Sequence, residues 1–230
     1  VFILSGDPHA LWCGDAAEAL KIHENVLEIR QRVLGTEHPD TLATMGNLAV
    51  VMQELGDVEG ARRMVERELA ITRRVLGPEH PDTLTSMNNL AGLMWLQGNS
   101  DAARGIQEEV LAISRRVLGP EHPTTLALMI NLALTTLAIR RLDEARRMLA
   151  EVLDVRRRVL GPEHPSMSVT AASLAYALLE LKENAEAERV ALQDLLWLVG
   201  VKEGLSADQK MARAWAIETF GWSEDWTRLP

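Results

Sequence analysis

The stretch Val-Leu-Gly-Pro-Glu-His-Pro-Asp-Thr-Leu at residues 75–84 decides the fold, because close copies of it occur along the chain. Val-Leu-Gly ends at Gly35, Gly77, Gly119 and Gly161, and Glu-His-Pro ends at Pro39, Pro81, Pro123 and Pro165. Both motifs recur every 42 residues without an insertion. A fixed period of this length indicates an array of stacked structural repeats.

Two further motifs keep the same register. Asn47-Leu48-Ala49 returns as Asn89-Leu90-Ala91, as Asn131-Leu132-Ala133 and, more loosely, as Ser173-Leu174-Ala175. A second alanine recurs at Ala61, Ala103, Ala145 and Ala187. Small side chains let two helix backbones approach closely, so we expect a larger residue at these alanines to overpack a helix contact.

Each repeat is predicted to form two helices. The first runs from about Pro39 to Leu55, since proline is favoured at the first helical position, and its apolar residues recur at helical spacing. The second runs from about Asp57 to Leu76 and ends in arginines that suit the helix dipole. Neither helix pair buries its apolar stripe alone, which is why such units occur in arrays.

The turn between the two helices falls at glycine in two repeats. Gly56 and Gly98 provide this stop, because glycine readily adopts the left-handed backbone that ends many helices. Arg140 and Lys182 replace glycine in the later repeats, so we expect those turns to be built differently.

Composition excludes several classes of function. The net charge of the 230 residues is −9, which argues against nucleic acid as a partner and gives no support for an anionic membrane. No apolar run approaches the roughly 20 residues that span a bilayer. Cys13 is the only cysteine, so no internal disulfide can form. We expect a cytoplasmic protein.

The repeats do not extend over the whole chain. We predict a degraded or truncated first helix at residues 1–13, half a repeat plus four complete repeats at 14–200, a capping helix at 201–220, and an aromatic and acidic tail at 221–230. The repeated motifs are lost beyond Gly200. Ser206 and Gln209 have the spacing of a capping box, which predicts the start of the capping helix.

The repeated polar residues are interpreted structurally. Each of the repeated histidines precedes a helix-opening proline, and we interpret them as loop or cap positions. Residues 42 apart in an array do not converge on one metal ion, so a metal site is not expected. The histidines are His38, His80, His122 and His164. The last turns of the second helices carry Arg32, Arg74, Arg116 and Arg158. We expect these to offset the helix dipole and to pair with the glutamate of the following loop: Glu37, Glu79, Glu121 or Glu163. No catalytic or phosphate-binding motif is present, so we expect no enzyme activity, no metal and no cofactor.

The helix pairs, with Leu48-Ala49 and Ala61, resemble the tetratricopeptide repeat. The 42-residue length, the stretch at 75–84 and Asn-Asn-Leu-Ala at 88–91 are similar to the kinesin light chain and nephrocystin-3 subclass, which also occurs in bacterial proteins. The resemblance covers about residues 14–200. It implies an all-α, right-handed solenoid of helix-turn-helix repeats with a C-terminal capping helix.

The resemblance also implies a ligand-binding groove lined by the first helices. Its predicted lining comprises Val50, Gln53, Asn88, Trp95, Ile130, Leu134, Leu137, Tyr176 and Leu179. The lining lacks lysine and arginine, so a free C-terminal carboxylate is not the expected ligand. Only Asn88-Asn89 keeps the asparagine pair by which kinesin light chains help to hold a peptide backbone.

We therefore expect a scaffold that binds an apolar or amphipathic peptide or helix of another protein in this groove. The alternative is an assembly or regulatory arm whose groove is occupied by its own or a neighbour's tail, with Trp222 and Trp226 as the self-ligand. Trp226 follows Glu224-Asp225 and so resembles the tryptophan-acidic peptides that kinesin light chains bind. In that case the chain would self-associate or inhibit itself.

Overall fold

The structure, a computed structural model, describes residues 16–160, 164–201 and 204–222. Within these ranges all regular structure is helical. The helices are α1 (Ala16–Val33), α2 (Pro39–Glu54), α3 (Val58–Val75), α4 (Pro81–Leu96), α5 (Ser100–Val117), α6 (Pro123–Ala138), α7 (Leu142–Leu160), α8 (Pro165–Glu180), α9 (Asn184–Asp194), α10 (Leu196–Gly200) and α11 (Ala207–Phe220). Predictions that concern Cys13 and Trp226 fall outside the described residues.

The helix boundaries follow the 42-residue period of the sequence. First helices begin at Pro39, Pro81, Pro123 and Pro165, and second helices begin at Val58, Ser100, Leu142 and Asn184. The predicted helix pair in every repeat, and the all-α fold class, are therefore confirmed. We refer to residues that lie a multiple of 42 positions apart as register equivalents.

The repeated histidines are caps of the first helices. In each of the four loops the histidine Nδ1 accepts a hydrogen bond of 3.2 Å from the backbone N–H two residues later, which belongs to Asp40, Asp82, Thr124 or Ser166. Such a bond satisfies one of the N–H groups that lack a partner inside the helix. Threonine fixes the same loop, since the Thr83 hydroxyl donates to the carbonyl of Gly77 at 2.8 Å. The motif at 75–84 thus encodes a helix start.

The turns inside the helix pairs share one backbone conformation. Gly56 and Gly98 have φ of +85° and +80°, and both Arg140 and Lys182 have φ of +64°. The expectation that the later turns are built differently is wrong. Since a left-handed backbone costs an ordinary residue roughly 1–2 kcal/mol, these two turns are strained.

Lys182→Gly is expected to increase the free energy of unfolding by about 0.5–1 kcal/mol. Glycine removes the strain, and part of this gain is offset by the greater freedom of the unfolded chain. Urea denaturation monitored by circular dichroism measures the change. The reverse substitution Gly98→Lys serves as the matched control and should destabilise by a similar amount. A loss of stability in Lys182→Gly would contradict the strain argument.

The described residues divide into two compact units, one up to Leu128 and the other from Met129. In the N-terminal unit, Leu42, Met45 and Leu48 of α2 form a core cluster with Leu27 of α1. The alanines predicted to lie at close helix contacts are buried in both units. Ala61, Ala103, Ala145 and Ala187 are all 0% exposed.

The C-terminal unit ends in a capping helix. α11 packs against α8, and Ser206 and Gln209 form the predicted capping box at its start. Ala207, the first residue of α11, is the register equivalent of Pro165, and Ser206 is the register equivalent of the capping histidine His164. The 42-residue period therefore continues beyond Gly200 in the structure, although the motifs end there.

Candidate peptide-binding surface

Each first helix buries one side and exposes a narrow strip on the other. On α2, Thr41, Leu42, Met45, Leu48 and Ala49 are buried, while Ala43, Asn47 and Val50 are exposed. We call the exposed and half-buried positions among residues 43–50 of α2 and their register equivalents the first-helix strip. In the N-terminal unit it comprises Ala43, Gly46, Asn47, Val50, Thr85, Asn88, Asn89, Gly92 and Ala127, and in the C-terminal unit Asn131, Leu134, Val169, Ala172, Ser173 and Tyr176.

The predicted lining residues divide by exposure. Val50 and Tyr176 are the most accessible, 49% and 41% exposed. Five others are half-buried: Gln53, Asn88, Trp95, Leu134 and Leu179.

Ile130 and Leu137 are instead buried, 7% and 8% exposed. Ile130 follows the buried Leu128 and Met129 of α6 and is buried with them. Leu137 is in the last turn of α6 and belongs to a core cluster that includes Ala145 and Leu149 of α7. Neither side chain presents a surface to a partner.

Sequence reasoning missed one row of the strip. Asn47 is exposed, its register equivalents Asn89 and Asn131 are half-buried, and Ser173 takes the same place in α8. The signal was available, because the recurring Asn-Leu-Ala places a polar residue beside two core residues in three of the four repeats. Amide side chains offer both donors and acceptors to a peptide backbone.

The first-helix strip carries no charged side chain, although Asp40 and Glu54 are exposed at the two ends of α2. The exposed surface of the second helices, in contrast, carries ion pairs. Arg62 hydrogen-bonds to Glu59 and lowers the pKa of that carboxyl to about 2. The uncharged strip thus lies on a molecule of net charge −9 whose charges are placed elsewhere.

Two of the four arginines at the ends of second helices pair with a different loop from the one predicted. Arg74 contacts Glu37 at 2.5 Å and Arg116 contacts Glu79 at 2.6 Å. Each glutamate lies in the loop before the helix pair to which its arginine belongs, whereas the prediction named the loop after it. The partners are exposed, so solvent screens the attraction and each pair contributes little to stability.

One buried carboxyl group lies beneath the strip of the N-terminal unit. Glu68 of α3 is 8% exposed, and the Ser86 hydroxyl donates to its Oε1 at 2.9 Å. Burial raises the pKa of Glu68, and the nearby Asp82 carboxylate raises it further. The register equivalents Val110 and Val152 are apolar, so this carboxyl is not required by the repeat fold.

Glu68→Val is expected to stabilise the protein at pH 7 by about 1 kcal/mol, because valine avoids the desolvation of a buried polar group. The raised pKa means that the folded state favours the protonated form. Wild-type stability therefore falls as pH rises through this pKa, and the advantage of the variant should shrink as pH is lowered to about 4. Urea denaturation at both pH values measures it. An equal advantage at both would contradict the assignment.

A second buried carboxylate occupies the same register position in the C-terminal unit. Asp194 of α9 is 0% exposed and accepts hydrogen bonds from Arg157 of α7, one of them 3.0 Å long from Nε. The Asp194 carboxylate raises the pKa of Arg157, because it stabilises the charged guanidinium. This position of the repeat therefore accommodates a carboxylate when a cation is supplied.

The aromatic residues at the end of α11 pack into the C-terminal core. Trp222 is 6% exposed and its ring stacks on Phe220 with 5.6 Å between centroids, while Phe220 meets Trp215 edge to face at 5.7 Å. Trp222 is thus a core residue of its own unit. The self-ligand role assigned to it stays a prediction, and it depends on Trp226 outside the described residues.

The comparisons with known proteins identify the family. The tetratricopeptide repeat matches residues 9–73, 47–114, 90–157 and 137–193. This chain belongs to the tetratricopeptide repeat family. The chain is 33% identical to a Podospora anserina protein that is assigned as a kinesin light chain. That protein was crystallised as tetratricopeptide-like repeats that are nearly identical to one another. That match covers 78% of this chain and 85% of that one, with a TM-score of 0.67.

More distant structures share the fold of this tetratricopeptide chain. BtubC from P. vanneervenii is 21% identical with a TM-score of 0.70, covering 91% of this chain and 76% of that one. PlcR of Bacillus thuringiensis, solved with the peptide PapR7 and DNA, is 13% identical with a TM-score of 0.58, covering 88% and 66%. No protein with a curated description is significantly similar in sequence.

Two further findings concern the described residues of the tetratricopeptide chain. None of their helices has the length and hydropathy that a membrane crossing requires. Histidine, cysteine and acidic side chains do not gather there in groups of three that could hold a metal ion.

Proposed function

We propose that this tetratricopeptide chain is a non-enzymatic scaffold that binds an apolar or amphipathic segment of another protein along its first-helix strip. The observation that carries the proposal is the repeated exposure of large side chains at one register position. Val50, Leu134 and Tyr176 occupy it in three of the four repeats, and Gly92 takes the place in the other. Val50 and Tyr176 are more than 40% exposed and Leu134 is half-buried. Large accessible side chains at one position in most repeats favour a binding surface over a solvated one.

The neighbouring row supports the same kind of ligand. Asn47, Asn89 and Asn131 each lie three residues, about one helical turn, before the position of Val50 in their own repeat. Apolar side chains provide the burial that drives association, and amide groups fix the orientation of a peptide backbone. Since the strip lacks charge, we propose that the ligand contacts it mainly through neutral side chains.

Among the structural neighbours, PlcR was solved with a bound peptide, which agrees with a peptide-binding use of this fold. The fold alone does not select the ligand, because one fold serves many functions. The proposal therefore depends on the residues of the strip. As the compartment we propose the cytoplasm.

Val50→Glu is expected to weaken partner binding at least about tenfold, since a charge would be buried against an apolar ligand. The matched control is Val117→Glu, because Val117 is 45% exposed and lies on the second helix α5. Affinity capture from lysate followed by quantitative mass spectrometry compares the two variants with wild type, and circular dichroism verifies folding. A protein retained by wild type and Val117→Glu but lost by Val50→Glu is the expected result. Equal retention by all three proteins would refute the strip as the binding site.

The tail alternative can be tested in the same experiment. A chain lacking residues 223–230 keeps Trp222 and the whole of α11. If the tail occupies the strip of its own or a neighbouring copy, this truncation should increase capture or change the oligomeric state measured by light scattering. Unchanged capture and an unchanged oligomeric state would exclude the tail as a competitor.

A further inference from the structure

The carboxyl group of Glu68 is only half satisfied. Its Oε1 accepts the Ser86 hydroxyl at 2.9 Å, but its Oε2 is buried and has no hydrogen-bond partner within the described part of the chain. An acceptor buried without a donor costs free energy, and a carboxylate without a countercharge costs more. Without a partner the buried carboxyl therefore favours its protonated form, and a cation from a bound ligand would stabilise the carboxylate instead.

Gly46 leaves space above this oxygen. A Cβ atom built on Gly46 would lie 3.5 Å from Oε2 and 3.8 Å from Oε1 of Glu68, so the missing side chain of the glycine faces the carboxyl directly. Gly46 is half-buried and belongs to the first-helix strip, while its register equivalents Asn88 and Ile130 carry large side chains. We call this gap in the strip, with the carboxyl at its base, the Gly46–Glu68 notch.

The C-terminal unit indicates what the carboxyl lacks. Asp194 is the register equivalent of Glu68, and it is paired with Arg157, which lies 37 residues before it. The residue 37 before Glu68 is Gln31, which carries no charge. The same position of the repeat thus holds a carboxylate with an internal cation in one unit and a carboxyl without such a cation in the other.

We propose that the Gly46–Glu68 notch binds the side chain of a lysine in the protein segment that lies along the first-helix strip. The inference rests on the proposed function, because the segment brings the lysine to Gly46. A lysine side chain is an unbranched stem ending in a compact ammonium group, which fits a gap opened by one absent side chain, whereas a guanidinium is broad and planar. The ammonium would enter at the place of the absent Gly46 side chain, whose Cβ position is 3.5 Å from Oε2. The ligand is therefore amphipathic, with apolar side chains on Val50 and one lysine at Gly46.

Two mild substitutions separate the notch from the rest of the strip. Glu68→Gln keeps the shape of the side chain and removes its negative charge. Gly46→Ala places a methyl group over Oε2 at an ordinary van der Waals distance, and alanine suits the interior of α2. Both variants should fold, and both leave Val50 unchanged.

The experiment selects ligands from a displayed library of random peptides on the wild-type protein, with Val50→Glu as counter-selection. Wild type should enrich peptides with one lysine at a fixed distance from apolar residues. Replacement of that lysine by norleucine in a synthetic peptide should weaken binding to wild type about tenfold or more, as loss of a charged hydrogen bond does. The same replacement should change binding to Glu68→Gln and to Gly46→Ala less than about twofold.

The outcomes distinguish the notch from the proposed function. Selected peptides that need Val50 but show no lysine preference would overturn the notch and leave the scaffold proposal standing. A lysine preference of equal size in wild type, Glu68→Gln and Gly46→Ala would overturn the notch as well. Failure to select any peptide that depends on Val50 would overturn both proposals.

Discussion

Arg157→Met is expected to lower the free energy of unfolding by about 3 kcal/mol, because it leaves the fully buried Asp194 carboxylate without its cation. Methionine keeps much of the length of the arginine stem, so the loss reflects charge more than packing. Arg157 is itself 26% exposed, which places the expected cost at the lower end of the range for broken buried pairs. Guanidinium denaturation measures the change.

The double substitution Arg157→Met/Asp194→Val is the informative control. Valine occupies the register-equivalent positions 110 and 152, so the repeat fold accepts it there. Most of the lost stability should return, since the double variant no longer buries a charge. A double variant as unstable as Arg157→Met would mean that the arginine acts through packing, and the ion-pair account would be wrong.

Ala103→Leu is expected to destabilise the N-terminal unit by about 1–3 kcal/mol, the usual cost of overpacking a closely packed contact. Ala103 is 0% exposed on α5, and alanine occupies the same place in α3, α7 and α9. The matched control is Ala112→Leu on the exposed face of the same helix, which should change stability by less than about 0.5 kcal/mol. Thermal unfolding followed by circular dichroism compares the two. Equal effects of both substitutions would contradict a special role for Ala103.

The repeat architecture could be predicted from the sequence because each signal has a local physical cause. Proline opens the first helices, histidine caps them, and alanine marks the close contacts, all at a fixed period. The same locality explains the error at Arg140 and Lys182. Glycine usually indicates a left-handed residue, but the packing of the two helices imposes the same turn when glycine is absent.

The binding surface was harder to predict, since exposure depends on side-chain size as well as on position. Gly46 and Ile130 are register equivalents, yet Gly46 is half-buried on the strip and Ile130 is buried. A spacing rule treats them alike. The start of the capping helix α11 shows the converse, a shared role without a shared motif. Ser206 caps its helix at the register position of the capping histidines, although the motif around it is lost.

The buried carboxyl groups were not visible in the sequence. Glu68 and Asp194 are register equivalents in the sequence, but they stand among many acidic residues on helices, and only the structure shows that both are buried. Their difference, an internal arginine in one unit and glutamine in the other, could be recognised only after the Arg157–Asp194 pair had been located.

The central claim is that a peptide lies along the first-helix strip, and methyl NMR tests it most directly. The protein would be labelled at valine and alanine methyl groups and titrated with a peptide obtained from the display selection. The account predicts shifts at Val50 and at the exposed Ala43, with Val117 on the second helix α5 unchanged. Shifts confined to the second-helix valines, with Val50 and Ala43 unaffected, would contradict it.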